Sequence, residues 1–337
     1  MNILFHLTSP EPPIPGTDAV LQEIETLRRH FGGECLQFYP LRRPSRIFPK
    51  CLYGVHQRAE LRRLEPAVDL HHLYYATLYS FAWLGALNKP LIYSLVTGVG
   101  PLSNRGNTRW LKPIRMIVSG NPRDEAALRR LCPERYRIIR PGIALERFTP
   151  MPLMLRDELI LLVGSAPWTK RQFRTKGVDL LLAVAESLPL RLVFLWRGFL
   201  RDELERRIAR RGLTSRVEII NEAVDVNQVL ARVHATVVLA ETDNLVKAYP
   251  HSLMESLAAG KPVLVNERVP MADYVAEAQC GQVVSQFTPE SLKLAIARLM
   301  DNYGDCQAAA FVRGRADFQL SSMLAAYGKV YKEALEA

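Results

Sequence analysis

The stretch Tyr249 to Val265, YPHSLMESLAAGKPVLV, reads as a helix entry, one carboxylate, a glycine stop and a buried strand. Pro250 suits the first turn of a helix, and Ser252 can satisfy an orphan N–H there. Leu253, Met254, Leu257 and Ala258 form an apolar stripe at three- and four-residue spacing. Gly260 then ends the helix, and Pro262-Val263-Leu264-Val265 runs into a core as a doubly covered parallel strand. A strand and helix arranged in this way present backbone N–H groups to phosphate at the helix start. Glu255, one turn in, is placed to accept hydroxyls of a sugar-containing ligand; the competing reading is a solvated helix residue.

Working outward, short apolar runs alternate with amphipathic stretches, the pattern of βαβ units on parallel sheets. Strands are predicted at Asn2–His6, Glu34–Phe38, around Leu70–His72, and at Pro90–Val96, Arg115–Val118 and Arg137–Arg140. A second set falls at Leu159–Val163, Leu192–Leu195, Val217–Ile220, Ala235–Leu239 and Pro262–Val265. Helices are predicted between them, notably over Asp18–His30, Arg123–Leu131, Val178–Ser187, Arg201–Arg211, Val226–Val233 and Pro289–Asn302. The periodicity breaks at Pro141–Pro152, and 337 residues suit two doubly wound domains.

With 48% hydrophobic and 23% charged residues the composition is that of a globular protein, and no run of eighteen apolar residues could span a bilayer. The opening MNILFHLTSP lacks a basic n-region and a cleavage site, so a cytoplasmic location is expected. The five cysteines are widely spaced with no C-x-x-C, which predicts buried reduced thiols and neither zinc nor disulfides. Of the net charge of +10, residues 1–150 supply +9 and the remainder +1. The excess concentrates in Leu41–Arg63, where Arg42, Arg43, Arg46, Lys50, Arg58, Arg62 and Arg63 are interleaved with Ile47, Phe48, Leu52 and Tyr53. That mixture suits an anionic membrane surface or an acidic partner, or is simply a solvated, solubilising segment. No nucleic-acid motif accompanies it, so nucleic acid is not an expected partner.

The residues around Glu255 resemble the donor-site signature of GT-B glycosyltransferases of family 4, P-x-S-L-L-E-A-x-A-x-G-x-P preceded by an earlier glutamate. Glu255 falls on the second glutamate and Lys247 on the first. RPGIALERFTP resembles the family's interdomain sequence through Gly142, Ile143, Phe148 and Pro150. The resemblance implies an α/β GT-B fold, two facing Rossmann-like domains with a cleft between them. Residues 1–145 would bind the acceptor, completed by a C-terminal helix at about 318–337, and residues 146–317 would bind the nucleotide-sugar donor. It also implies retaining transfer of a sugar from a UDP- or GDP-type sugar, as co-substrate, to a glycan, lipid-linked or other hydroxyl acceptor in polysaccharide or glycolipid biosynthesis. No metal and no further cofactor are implied. An inactive GT-B protein acting as a binding partner is the alternative.

The candidate site follows residue by residue. Val163–Gly177, VGSAPWTKRQFRTKG, reads as a strand end, a long basic loop and a helix start, with Lys170, Arg171, Arg174 and Lys176 ahead of an anion-favouring N-terminus. Lys176-Gly177 matches the family's K-G, whereas Ser165 stands where the family has an arginine, which Arg171 or Lys170 would replace. Lys176, Arg171 and Lys247 are the expected catalytic cations, stabilising the leaving diphosphate. Donor binding is expected at Gly16, Gly198, Pro250, His251, Ser252 and Glu255. Lys247 cannot accept sugar hydroxyls as a carboxylate does, because an ammonium only donates. Three readings of it stay open: it neutralises an acidic sugar or the diphosphate, the site has decayed, or Glu241 or Asp243 takes its place. Thr97-Gly98 stands where the family has His-Gly, and His71 or His72, taken to follow a strand ending at Leu70, is a candidate for the cleft or acceptor side.

Overall fold

The computed structural model describes residues 1–41, 45, 48–101, 109–196 and 198–336, so Arg42, Arg43, Arg46 and Ile47 of the basic segment lie outside the described residues. The chain divides into two compact units, Met1–Arg140 with Ser321–Ala337, and Pro141–Leu320.

The first unit is built on six parallel strands, β1 (Ile3–Leu7), β2 (Glu34–Gln37), β3 (Leu70–Tyr75), β4 (Leu91–Leu95), β5 (Ile114–Ser119) and β6 (Tyr136–Ile138), ordered β2-β1-β3-β4-β5-β6. Every residue of β1, β3 and β4 is buried, as expected of strands covered on both faces. Three helices alternate with these strands: α1 (Ala19–Phe31), α2 (Arg58–Leu64) and α3 (Glu125–Leu131). α1 starts where the Asp18 carboxylate accepts from the N–H groups of Val20 and Leu21.

The second unit has six more parallel strands, β7 (Leu159–Val163), β8 (Leu190–Leu195), β9 (Val217–Ile220), β10 (Ala235–Val238), β11 (Val263–Asn266) and β12 (Gly281–Val284), ordered β12-β11-β10-β7-β8-β9. Its helices are α4 (Lys170–Thr175), α5 (Val178–Ala185), α6 (Arg201–Arg210), α7 (Val226–Ala231), α8 (His251–Ala258), α9 (Met271–Ala278), α10 (Pro289–Asp301) and α11 (Tyr303–Asp317). Strand order runs outward in both directions from the β7–β10 pair, so the topological switch point lies there. A crevice opens at the carboxyl ends of strands at such a point. The last helix, α12 (Leu320–Glu336), belongs from Ser321 onward to the first unit.

Side chains up to 304 residues apart in the sequence hold α12 on the first unit. Tyr331 hydroxyl is hydrogen-bonded to His72 Nδ1 at 2.9 Å, and Tyr327 hydroxyl donates to Glu23 at 3.1 Å. The Phe31 and Tyr331 rings meet edge to face at 4.9 Å, and Arg137 pairs with Glu333 at 2.6 Å.

Three expectations are corrected here. His71 and His72 lie inside β3, fully buried, because the strand continues five residues past Leu70. The cysteines are all free, but Cys51 is exposed and Cys35 half-buried, so burial holds only for Cys132, Cys280 and Cys306. The basic loop after β7 is not loop throughout: Lys170–Thr175 is α4, anchored by buried Phe173 with the Arg207 guanidinium 4.4 Å above its ring. Among the described residues no helix is long and apolar enough to cross a membrane.

Candidate functional site

The carboxyl end of β7 leads into Gly164, where the backbone comes so close to the start of α8 that a Cβ would sit 2.4 Å from Ser252 Cβ. Only glycine permits that approach. Two residues on, Ala166 abuts Gly198, three residues past the end of β8, whose own Cβ would fall 2.8 Å from Ala166 Cβ. Trp168 and Phe199 add a ring contact at 6.0 Å between the same two loops. The ends of β7 and β8 and the start of α8 are therefore packed against one another.

The third strand end enters through Gly177. Its φ of +75° suits glycine, and a Cβ there would meet Leu239 Cβ at 2.7 Å, just past β10. The N–H of Glu241 donates to the Thr175 carbonyl at 2.7 Å, and Arg174 pairs with the Glu241 carboxylate. From beneath, the buried Asn266 amide clamps Ala240: its Oδ1 accepts from Ala240 N at 2.7 Å and its Nδ2 donates to Ala240 O at 2.8 Å. The loop from β10 to α8 is thus held at both the α4 side and the β11 side.

Lys176 stands at the centre of this arrangement. Its Nζ donates to the Ala166 carbonyl at 3.1 Å, and loss of hydration lowers its pKa to about 8. A cation that is poorly solvated and bonded, among the described residues, only to a neutral carbonyl gains strongly from an incoming anion. α8 begins at His251 after Pro250, and no side chain caps it. The expected capping by Ser252 is therefore corrected: Ser252 is the second residue of the helix and packs on Gly164 instead. An uncapped helix start leaves N–H groups and the positive end of the helix dipole for a ligand.

The other expected residues fall as follows. Glu255 is half-buried one turn into α8, and Lys247 is half-buried in the preceding loop, its charge helping to hold the His251 ring neutral after burial has already lowered that pKa well below the usual value. Arg171 is exposed on α4. In the first unit, Gly16 lies exposed between β1 and α1 with φ +73°, its carbonyl accepting from Gln22 Nε2 at 2.7 Å. Thr97 and Gly98 follow β4, where the Thr97 N–H and hydroxyl both reach the Ala76 carbonyl at 2.8 Å, at the carboxyl edge of that sheet.

His71 and His72 are structural. His72 bonds Ser94 Oγ at 2.7 Å through Nε2 as well as Tyr331, and burial pushes its pKa down to about 3. His71 bridges His6 at 3.0 Å and Glu65 at 3.2 Å, with burial lowering its pKa against the opposing pull of Glu65. Sequence reasoning missed Gly164, Ala166 and Asn266. A glycine ending an apolar run was the available signal for the first; nothing local marks the other two.

This is the architecture of the GT-B glycosyltransferases: two six-stranded parallel α/β sheets, the second with an uncapped helix start at its switch point. Residues 166–311 match the family model for glycosyl transferases group 1, and the resemblance expected from the sequence is borne out. The lipopolysaccharide glucosyltransferase WaaG of Escherichia coli K12 is 28% identical over 191 residues, covering 50% of this chain and 47% of WaaG. The chain thus spans about half the length of the curated relative it matches. Among solved structures, a glycosyltransferase from Rickettsia africae superposes with a TM-score of 0.71 at 16% identity, covering 99% of this chain and 98% of the other. Anabaena HepE, solved with UDP and glucose, superposes with a TM-score of 0.71 at 16% identity, covering 98% and 99%.

Proposed function

We propose that this protein is a retaining glycosyltransferase of family 4 type, moving a sugar from a nucleoside-diphosphate sugar to a hydroxyl of a glycan or lipid-linked acceptor without a metal. The observation that carries the reading is the meeting, at the switch point of the second sheet, of a glycine-lined strand end, an uncapped helix start and the desolvated Lys176. The donor diphosphate lies on the His251 and Ser252 N–H groups with Lys176 against its oxygens. As the glycosidic bond breaks, charge grows on the leaving oxygen, and these fixed donors stabilise it without reorganising. Arg171, on the solvent side of α4, is a second cation within reach of phosphate. Glu255 takes hydroxyls of the nucleoside sugar, and Gly198 leaves room for the base against backbone.

The acceptor is assigned to the first unit, with Thr97 and Gly98 at its carboxyl edge. The protein works on the cytoplasmic side, and the basic segment at 41–63 gives it a peripheral hold on anionic membrane. In support, HepE was solved with UDP and glucose, and WaaG carries lipopolysaccharide glucosyltransferase in its name.

The test is calorimetric titration with UDP, GDP, ADP and CMP, with Glu255→Ala as control. One nucleoside diphosphate binds the parent and is weakened by about tenfold or more in the variant, as for loss of a charge-assisted hydrogen bond. Release of that diphosphate from its sugar conjugate only when acceptor is supplied separates transferase from an inactive binding protein.

A further inference from the structure

Lys261 lies in the turn that carries α8 into β11, at the amino end of the second sheet and so at the opposite end from the donor site. Backbone fixes its place: its N–H donates to the Ser256 carbonyl at 2.8 Å, and the Ser256 hydroxyl donates to the Lys261 carbonyl at 3.3 Å. Thr236 of β10 is paired with Val263 of β11, and the same register carried back two residues sets Lys261 across from His234. The residue is wholly buried, and its Nζ has no hydrogen-bond partner among the described residues.

The groups around it leave the charge uncompensated. Burial lowers the pKa of His234, and the Lys261 ammonium is near enough to lower it further. His234 has nothing to give in return, because its Nδ1 accepts from the Ile160 N–H at 2.9 Å and its Nε2 is bonded to the Met154 carbonyl at 3.2 Å. Glu158, the carboxylate that acts on His234, lies 3.9 Å from Arg191. Burial lowers the Lys261 pKa to about 8, no carboxylate among the described residues offsets that shift, and the amine is still mostly protonated at neutral pH. An ammonium sealed in the interior without a counter-charge is strongly destabilising. Water would hydrate it without neutralising it; an anion does both. A second unsatisfied group belongs to the same place: the Thr236 hydroxyl, fully buried and without a partner, on the same face of β10 as His234. It can donate to an anion beside the ammonium. Because Lys261, Thr236 and Ser256 are all fully buried, the ion admitted is small and stripped of its water.

We propose that Lys261 holds a small monovalent anion of the chloride type inside the second unit, with the Thr236 hydroxyl as a further donor. The site stands apart from the donor site and does not depend on the function assigned there.

The full chain and Lys261→Met are melted at pH 7 in sodium chloride, bromide and gluconate at equal ionic strength. An anion that binds only the folded state raises its Tm, so the parent should melt about 4 °C or more higher in saturating chloride or bromide than in gluconate. Lys261→Met should melt within about 1 °C in all three salts, and in gluconate at or above the parent, since methionine fills the space without a buried charge. Parent crystals grown in bromide give a reading that needs no variant: an anomalous peak within hydrogen-bond distance of Lys261 Nζ. Equal melting of the parent in the three salts overturns the site, as does a bromide crystal with no peak at Nζ. A chloride dependence that survives in Lys261→Met belongs to another anion site and overturns it equally.

Discussion

His72 in the first unit is fully buried and His251 in the second half-buried with its ring nitrogens shielded, and both are held neutral, yet they stand in opposite circumstances. His72 has each ring nitrogen bonded, to Ser94 and to Tyr331, and thereby fastens a helix from the far end of the chain. His251 has neither nitrogen bonded and begins a helix that nothing caps. Burial alone does not tell the two apart; the state of their partners does. The first unit links buried polar groups in chains such as Asn88–Glu65–His71–His6, although His6 at the end of this one keeps Nδ1 unpaired. The second leaves donors open at the carboxyl edge of its sheet, where a ligand can complete them.

Acid sharpens the contrast most. A histidine whose folded pKa is depressed contributes stability that is fully present above the unfolded value near 6.5 and is lost as pH falls toward the folded value, for His72 about 3. Over that window His72 alone costs about 4 kcal/mol, since each unit is about 1.4 kcal/mol per proton. Denaturant titrations between pH 7 and 4 should show stability falling on acidification, and His72→Gln should flatten the slope by about one proton. An unchanged slope would mean that His72 is not neutral in the folded state.

At neutral pH, His72→Ala should destabilise the protein by about 3 kcal/mol, from the lost volume and the stranded Ser94 and Tyr331 hydroxyls. His251→Ala should shift it by less than about 1 kcal/mol, because no hydrogen bond is broken. Equal losses in urea unfolding would erase the distinction between the two histidines.

The reason the two were confused in the sequence is instructive. In Leu70–Tyr75 the pair of histidines looks like the end of an apolar run, because the partner that makes one of them a core residue lies 259 positions away. Other strands were legible because both faces are covered and their sequences are almost wholly apolar, as in Leu159–Val163. β12 was not: it is four residues long and opens with Gly281, which is required only because a Cβ there would sit 1.9 Å from the Val263 carbonyl oxygen. α11 likewise has no clear amphipathic period, and its Gly314 is explained only by the Leu257 backbone pressed against it. Of the candidate site, Lys176-Gly177 and the start of α8 were readable as local patterns. Gly164, Ala166 and Asn266 act through a serine, a lysine and a backbone on other elements, and tertiary proximity of that kind leaves little trace in a linear pattern.

The open edge of the second unit can be broken sterically. Gly164→Ala places a methyl 2.4 Å from Ser252 Cβ and must push the start of α8 away from β7. Nucleoside-diphosphate affinity should fall by about tenfold, equivalent to about 1.4 kcal/mol. Adding Ser252→Gly removes the obstructing Cβ and keeps the N–H, so the double variant should regain most of the affinity. Failure of that rescue, measured by calorimetry as a double-mutant cycle, would place the cost elsewhere than at this contact.

The smallest effect tests whether the ion pair across the site is part of the fold. Arg174 and Glu241 are paired, but Arg174 is 61% exposed, and an exposed pair contributes at most about 0.5 kcal/mol. Arg174→Ala should leave urea stability within that margin, because the Thr175 carbonyl still holds Glu241 through its N–H. What it releases is the Glu241 carboxylate, in the loop that leads from β10 to α8. Freed there, the carboxylate competes for Lys176 or Lys247 and repels phosphate, so ligand affinity should weaken by about two- to fivefold, more at low salt than at high. A stability loss well beyond 0.5 kcal/mol with affinity unchanged would make the pair a structural device like those of the first unit, and the division between closed and open polar groups would then have to be drawn nearer the Lys176 ammonium.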